Sequence, residues 1–212
     1  MKYKLICIFL IVSVIFGCTK SQVKDSLKTH SRANQYTTAT IFPINLKDKE
    51  FAECVQEELK DDLKYLKFFP GDKFREALFP WFEANTAPQN IEELSALLKK
   101  TLVQKRIESL GVEILIYVHG YTKMYDEGFG GYPYVGGLYS AERETHIWTT
   151  VWDLKEMVRV GDTDISFQGT VYGGIAVVVP FAILAFTESS ACKETAKRIS
   201  NCLTGKVSPT DK

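Results

Sequence analysis

Outside the polar N-terminal stretch that holds His30, the chain has two histidines, His119 and His146, with Glu144 two residues before the second. Imidazole and carboxylate together can bind a metal or move a proton. These histidines lie on separate segments, so they form one site only where neighbouring strands bring them side by side. A partly buried, hydrogen-bonded histidine is the simpler expectation, and no metal or cofactor is assigned. The acidic residues offer no pair set apart for acid–base work; most fall on helix exteriors, where a solvated face explains them. Residues 128–137 (GFGGYPYVGG) have the glycine density of a phosphate cradle. They lack the Gly-Lys-Ser/Thr ending and precede a strand, where a phosphate loop precedes a helix. The expectation is a long mobile hairpin loop over 126–140, with Phe129, Tyr132 and Tyr134 as a candidate recognition surface for glycan or protein.

Residues 114–121 (ILIYVHGY) resemble the strand and His-Gly turn of α/β-hydrolases, whose backbone amides build an oxyanion hole. That fold also needs a Gly-x-Ser-x-Gly elbow on a strand-to-helix turn. Ser140 and Ser166, the nearest downstream serines, lack that context, and too little chain follows for the remaining strand–helix units. An envelope hydrolase is the weakest of the functional readings.

Lys2 and Lys4 precede an uncharged apolar run, residues 5–16, which closes in Ile15-Phe16-Gly17-Cys18. The run is shorter than the about 20 apolar residues that cross a bilayer, and it matches a secretory h-region. It resembles a bacterial lipoprotein signal, residues 1–17, in which the cysteine after a small residue is lipidated and becomes the mature N-terminus. The resemblance implies acylation of Cys18, palmitate included, and attachment to a membrane through that lipid. Thr19, in place of aspartate, resembles the sorting choice of enteric bacteria that sends a lipoprotein to the periplasmic face of the outer membrane.

The chain carries 26 basic and 26 acidic residues, and losing residues 1–17 removes two lysines and no acid. A slight acidic excess argues against a nucleic-acid partner and against polybasic adhesion to anionic lipid. A hydrophobic content of 45% with 12% aromatics is that of a globular chain. Cys7 leaves with the signal and Cys18 carries lipid, so Cys54, Cys192 and Cys202 remain, with no Cys-x-x-Cys spacing among them. Ten residues on one predicted helix place Cys192 and Cys202 about 15 Å apart, beyond disulfide reach. Any bridge therefore joins Cys54 to Cys192 or to Cys202; three buried thiols are the alternative.

Residues 18–38 are polar, lack an apolar period, and read as a flexible tether. Residues 39–44 read as a strand, with Pro43 marking an edge or a strand end. Phe51, Val55, Leu59, Leu63 and Leu66 space an amphipathic helix. Asp72 N-caps a short helix over 72–79, and one further helix, long enough to bend midway, runs over 90–111 from a capping-box-like Asn90 and Glu93 to Gly111. Strands follow over 112–121, 144–154 and 165–171; whether 157–160 extends the third, bulged at Gly161, stays open. The apolar segment 173–186 reads as a buried strand or loop in preference to a membrane insertion. Thr187 or Ser189 caps the last helix, whose Cys192, Ala196, Ile199 and Leu203 share a face up to Gly205. Strands gathered in one block with helices grouped apart predict a single α+β domain over 39–205. It is expected as a two-layer sandwich of helices on a mainly antiparallel sheet, ahead of a polar tail, 206–212.

The early strand and helix, the strand after Leu110-Gly111-Val112, the strand ending Val151-Trp152-Asp153-Leu154 and the C-terminal helix resemble the periplasmic domains of curli-secretion-type and penicillin-binding-protein-activator-type lipoproteins. Residues 74–82 (FREALFPWF) and 187–192 (TESSAC) are similar to stretches of uncharacterised proteobacterial lipoproteins. These resemblances bring no catalytic residues. They imply a non-enzymatic outer-membrane lipoprotein, a binding or accessory module for envelope components, with an envelope protein or glycan as partner. A subunit of a secretion or pore complex is the alternative.

Overall fold

The computed structural model describes residues 20–27, 35–43, 46–83, 86–88, 90–132, 136–176, 179–183 and 185–206. The strands are β1 (Lys20–Asp25), β2 (Thr38–Pro43), β3 (Lys67–Phe69), β4 (Ile114–Tyr132), β5 (Gly136–Asp153), β6 (Val158–Ala176) and β7 (Val179–Ile183). The helices are α1 (Lys49–Asp62), α2 (Gly71–Ala77), α3 (Ile91–Leu98), α4 (Thr101–Leu110) and α5 (Thr187–Thr204). All seven strands form one sheet in the order β1-β6-β5-β4-β2-β3, with β7 also on β6. The pairs β4–β5, β5–β6, β6–β7 and β1–β6 are antiparallel, while β2 runs parallel to both β3 and β4. The fold is α+β, as the grouping of strands and helices predicts.

The near-continuous apolar run at the start of β4 is explained by burial on both faces. Ile114, Ile116 and Val118 enter a core with Val55 and Leu59 of α1 and with Ala196 and Ile199 of α5. Leu115 and Tyr117 point the other way, into a second core with Phe74 of α2, Leu94 and Leu98 of α3, and Val103 and Ile107 of α4. Helices therefore cover both faces of this part of the sheet, a fuller layering than a two-layer sandwich.

The helix expected over 90–111 divides into α3 and α4. Asn90 caps α3 as its spacing implies: its side chain accepts from the Glu93 N–H at 2.8 Å and donates to Glu93 Oε1 at 2.9 Å. From Leu98 the next inward residue is Val103, a step of five that would rotate roughly 140° around a continuous helix. An extended Lys100 breaks the rod and returns Val103 to the same core. Gly111, at φ +66, ends α4 in the left-handed conformation.

Two caps differ from expectation. Helix α2 begins at Gly71, and Asp72 lies inside its first turn; no side chain caps it. A Cβ at Gly71 would lie 2.8 Å from the Ile41 carbonyl oxygen, so the close approach of α2 to β2 requires glycine. At α5, Thr187 makes no capping bond; its hydroxyl pairs instead with Thr145 of β5 at 2.9 Å. Strand β2 is interior, flanked by β3 and β4, and Pro43 falls at its end.

The largest correction concerns the N-terminal segment. Within the expected tether, residues 20–25 form β1 on the edge of β6, from Lys20 opposite Gln168 to Asp25 opposite Thr163. Val23 and Leu27 pack against the first core. Asp25 accepts a 2.8 Å hydrogen bond from Arg198 Nη1, and Ser26 N–H reaches the Asp162 carbonyl at 2.9 Å. The incoming chain runs over Gly161, where a Cβ would lie 2.6 Å from the Ser26 carbonyl oxygen. The bulge in β6 falls beside this glycine, at Val160, which has no partner in the β5 ladder, and the strand begins at Val158, so 158–160 belongs to the third strand.

The glycine-rich stretch is likewise strand over most of its length. Strands β4 and β5 stay paired as far as Tyr132 opposite Gly136. The apolar segment 173–186 divides between the end of β6 and β7, which pair as a second hairpin.

Candidate functional site

The second core ends at Tyr117 on β4 and Trp152 on β5. Further outward on that face, past the buried Thr150 of β5, His119, Tyr121, His146 and Trp148 are half-buried. Alternation along each strand puts all four on one side, and the register sets His119 opposite Trp148 and Tyr121 opposite His146. Their rings form a column. His119 stacks on Trp148 at 5.4 Å between centroids, Trp148 on His146 at 5.0 Å, and His146 on Tyr121 at 5.2 Å. Lys123 Nζ lies 4.6 Å from the Tyr121 ring centre and closes one end.

Each histidine is held by a carboxylate. Asp48, buried just before α1, leaves that helix without a side-chain cap; its Oδ2 is 2.9 Å from His119 Nδ1 and its Oδ1 accepts from Gly120 N–H at 3.4 Å. His146 Nε2 is 2.8 Å from Glu144 Oε1, while its Nδ1 faces Asp164 Oδ1 at 3.6 Å and makes no hydrogen bond. The strands thus bring His119, His146 and Glu144 onto one surface. Even so, no group of three or more metal-ligating side chains assembles among the described residues.

The geometry also bears on hydrolysis. The amide of Gly120, which an oxyanion hole would need, is directed at Asp48 in mid-strand. Ser166 stands opposite His146 in the β5–β6 register, yet that imidazole bonds Glu144 and no hydroxyl. Ser140 lies in β5 and has no helix behind it. What the column offers is a ridge of ring edges flanked by fixed carboxylates and a lysine, a surface suited to recognition by stacking and hydrogen bonding.

Of the residues expected in a recognition loop, Phe129 and Tyr132 have their backbones in β4, and Tyr134 lies outside the described residues, as does Cys18. Cys54 and Cys192 form a disulfide joining α1 to α5, the first of the two pairings open from the sequence. Cys202 is buried and outside the disulfide, and burial together with the charge of Asp25 pushes its thiol pKa up to about 11. Trp148 and Tyr121 were missed as site residues. The signal available was the alternation in 144–154, which sets His146 and Trp148 on one face, but only the register adds the partners from β4.

One further ionic site supports the base of the sheet. Glu113 accepts from the Thr37 N–H at 2.5 Å and hydroxyl at 3.0 Å and pairs with Lys155. Burial alone would raise its pKa; the bonds from Lys155 and Thr37 outweigh it and hold the carboxyl down at about 2. Tyr117, buried with its hydroxyl donating to the Pro88 carbonyl at 2.9 Å, is shifted well above the ordinary phenol value by desolvation and by the nearby Asp48 and Glu93 charges.

No protein-family model matches the chain, and no curated protein matches it. Among solved structures it is similar to the PelC dodecamer of Paraburkholderia phytofirmans, at 7% identity and a TM-score of 0.37, over 87% of this chain and 98% of that one. It is also similar to lipoprotein GNA1162 of Neisseria meningitidis, at 9% identity and a TM-score of 0.31, over 80% and 99%. A putative neuraminyllactose-binding hemagglutinin homolog of Helicobacter pylori matches at 10% identity and a TM-score of 0.32, over 86% and 92%. At scores this low no function or assembly passes from them to this chain.

Proposed function

We propose that the protein is a lipoprotein held at the periplasmic face of the outer membrane through Cys18, and that its domain is a non-enzymatic binding or accessory module for envelope components. The observation that carries the binding role is the His119–Trp148–His146–Tyr121 column, which stands half-exposed where the helical layer ends. Its histidines are bonded to Asp48 and Glu144, an arrangement that fixes ring orientation. A fixed polar–aromatic ridge fits a glycan or a protein surface.

Crosslinking the native lipoprotein in cells, followed by pull-down, tests the reading. Recovery of an envelope protein or glycan that is lost in Trp148→Ala and retained in Leu102→Ala, an exposed position on α4, is the expected result. Equal recovery from both variants would refute the ridge as the binding surface. In parallel, Cys18→Ser should abolish acyl labelling and leave uncleaved precursor; unchanged labelling would remove the anchor. A second reading, a subunit of a secretion or pore complex, draws on the long hairpin β4–β5 and the shorter β6–β7. Ring-sized particles on detergent extraction would favour it, and a monomer would exclude it.

A further inference from the structure

Strand β2 lies between β3 and β4 and runs parallel to both. The chain leaves β2 through α1 to reach β3 on one side, then leaves β3 through α2, α3 and α4 to reach β4 on the other. Helix α1 packs in the first core and α2 to α4 in the second, so the two connections depart over opposite faces of the sheet. Where connections part in this way a crevice opens beyond the carboxyl ends of the strands, and parallel sheets use it to bind ligands. Here it is a cavity of about 200 Å³ between α1, α2 and the end of β2. Its apolar lining comes from Ile41, Pro43, Ala52 and Pro70.

Four charged side chains add to this lining: Lys49 and Glu53 from α1, Asp72 and Arg75 from α2. Local helix physics does not account for Lys49. It is the first residue of α1, where the helix dipole disfavours a cation. Its partner Glu53 follows it by four residues, the weaker order for such a pair, and stands 3.7 Å away with both side chains more than half exposed. Arg75 is better fixed. Its guanidinium lies 5.2 Å from the centre of the Phe42 ring, while its ion pair with Asp72 is long, at 4.0 Å. Neither ion pair is tight, so both leave hydrogen-bonding capacity for a ligand.

We infer that this crevice binds a small zwitterion of the amino-acid or dipeptide class. Arg75 and Lys49 meet its carboxylate, Glu53 and Asp72 its ammonium group, and the apolar lining takes its side chain. Size limits the occupant, since sites for drug-sized molecules span about 300–1,000 Å³ and this one is smaller. Charge limits it further. Two cations balance two carboxylates, so a ligand of one sign meets as much repulsion as attraction, whereas one carrying both signs satisfies both. The planar fork of Arg75 suits a carboxylate, which can accept two parallel hydrogen bonds from it. The crevice shares no residue with the ring column, so this site goes beyond the envelope-binding role proposed above.

The test titrates the full chain in detergent micelles with leucine and with alanyl-alanine, following backbone amide resonances. Saturable shifts should cluster in 41–43, 49–56 and 70–75. Blocking either charge of the dipeptide, as N-acetyl-alanyl-alanine or as alanyl-alanine amide, should weaken binding about tenfold or more, the effect of losing a charge-assisted hydrogen bond. Arg75→Gln and Glu53→Gln should weaken it to a similar extent. Lys49→Ala should also weaken it while leaving the urea midpoint unchanged or raised, because the helix gains nothing from a lysine at that position. That variant separates ligand binding from folding should Arg75→Gln disturb the packing on Phe42. No saturable shift with either probe, or shifts confined to other parts of the chain, would overturn the inference. So would blocked dipeptides that bind as tightly as the free one, or undiminished binding in Lys49→Ala and Glu53→Gln.

Discussion

The inner and outer halves of the long strands form one continuous ladder and differ in almost everything else. At the inner end, Ile116 and Leu115 face two separate helical cores, and the sheet is sealed on both sides. At the outer end, the same strands carry glycines and apolar or aromatic residues, with no charge in 128–141 or 165–183. Backbone pairing alone therefore sets where a strand can run, and the side chains set what environment it runs into. A sheet with both faces buried anchors stability.

The largest expected effect belongs to the inner half. The Cys54–Cys192 bridge ties α1 to α5 at a sequence separation of 138. The chain-entropy account gives such a closure roughly 5 kcal/mol, less any strain. Chemical denaturation with and without reductant should show a loss of that order; an unchanged midpoint would mean that the bridge contributes little to the sealed region. Next, Ile116→Ala should cost about 3–4 kcal/mol through lost burial and a residual cavity, whereas Met124→Ala on the outer part of β4, 57% exposed, should stay within about 0.5 kcal/mol. Equal costs from urea titration would erase the distinction between the two halves. Smallest is the acid response. Glu113 has its carboxyl held at about 2 against an ordinary 4.5. A carboxylate depressed in the folded state adds stability above its ordinary value and loses it as pH falls towards 2. Stability should therefore decline between about pH 5 and pH 2, and Glu113→Gln should flatten that decline, as followed by thermal melts across the range.

Much of the inner half was legible in the residues. The period of α1, the Asn90–Glu93 box, the glycine stops at 111 and 205 and the apolar run of β4 all act locally and leave local signals. What escaped depends on distant partners. Strand β1 (KSQVKD) turns one apolar residue, Val23, to the core, so it has no period to detect; its place comes from β6, far along the chain. The helix break at Lys100 was written in the five-residue step from Leu98 to Val103, which a single stripe absorbs unless the angle is counted. Glycines in 126–140 read as a loop because propensity disfavours them in strands, yet the neighbouring strand supplies register that propensity does not see. The ring column was half legible, from His146 and Trp148, and lacked its other half until β4 was placed beside it.

The docking of β1 on β6 also fixes an order of events. A chain delivered to its compartment N-terminus first holds residues 20–25 long before their partners, 163–168, have followed. For that whole interval the segment is an unpaired strand, a state that invites wrong partners. Lys20, Lys24 and Asp25 keep it soluble while it waits, since charge on an edge discourages misplaced pairing. The polarity that makes this segment read as coil is what lets it remain coil until the sheet is ready to receive it.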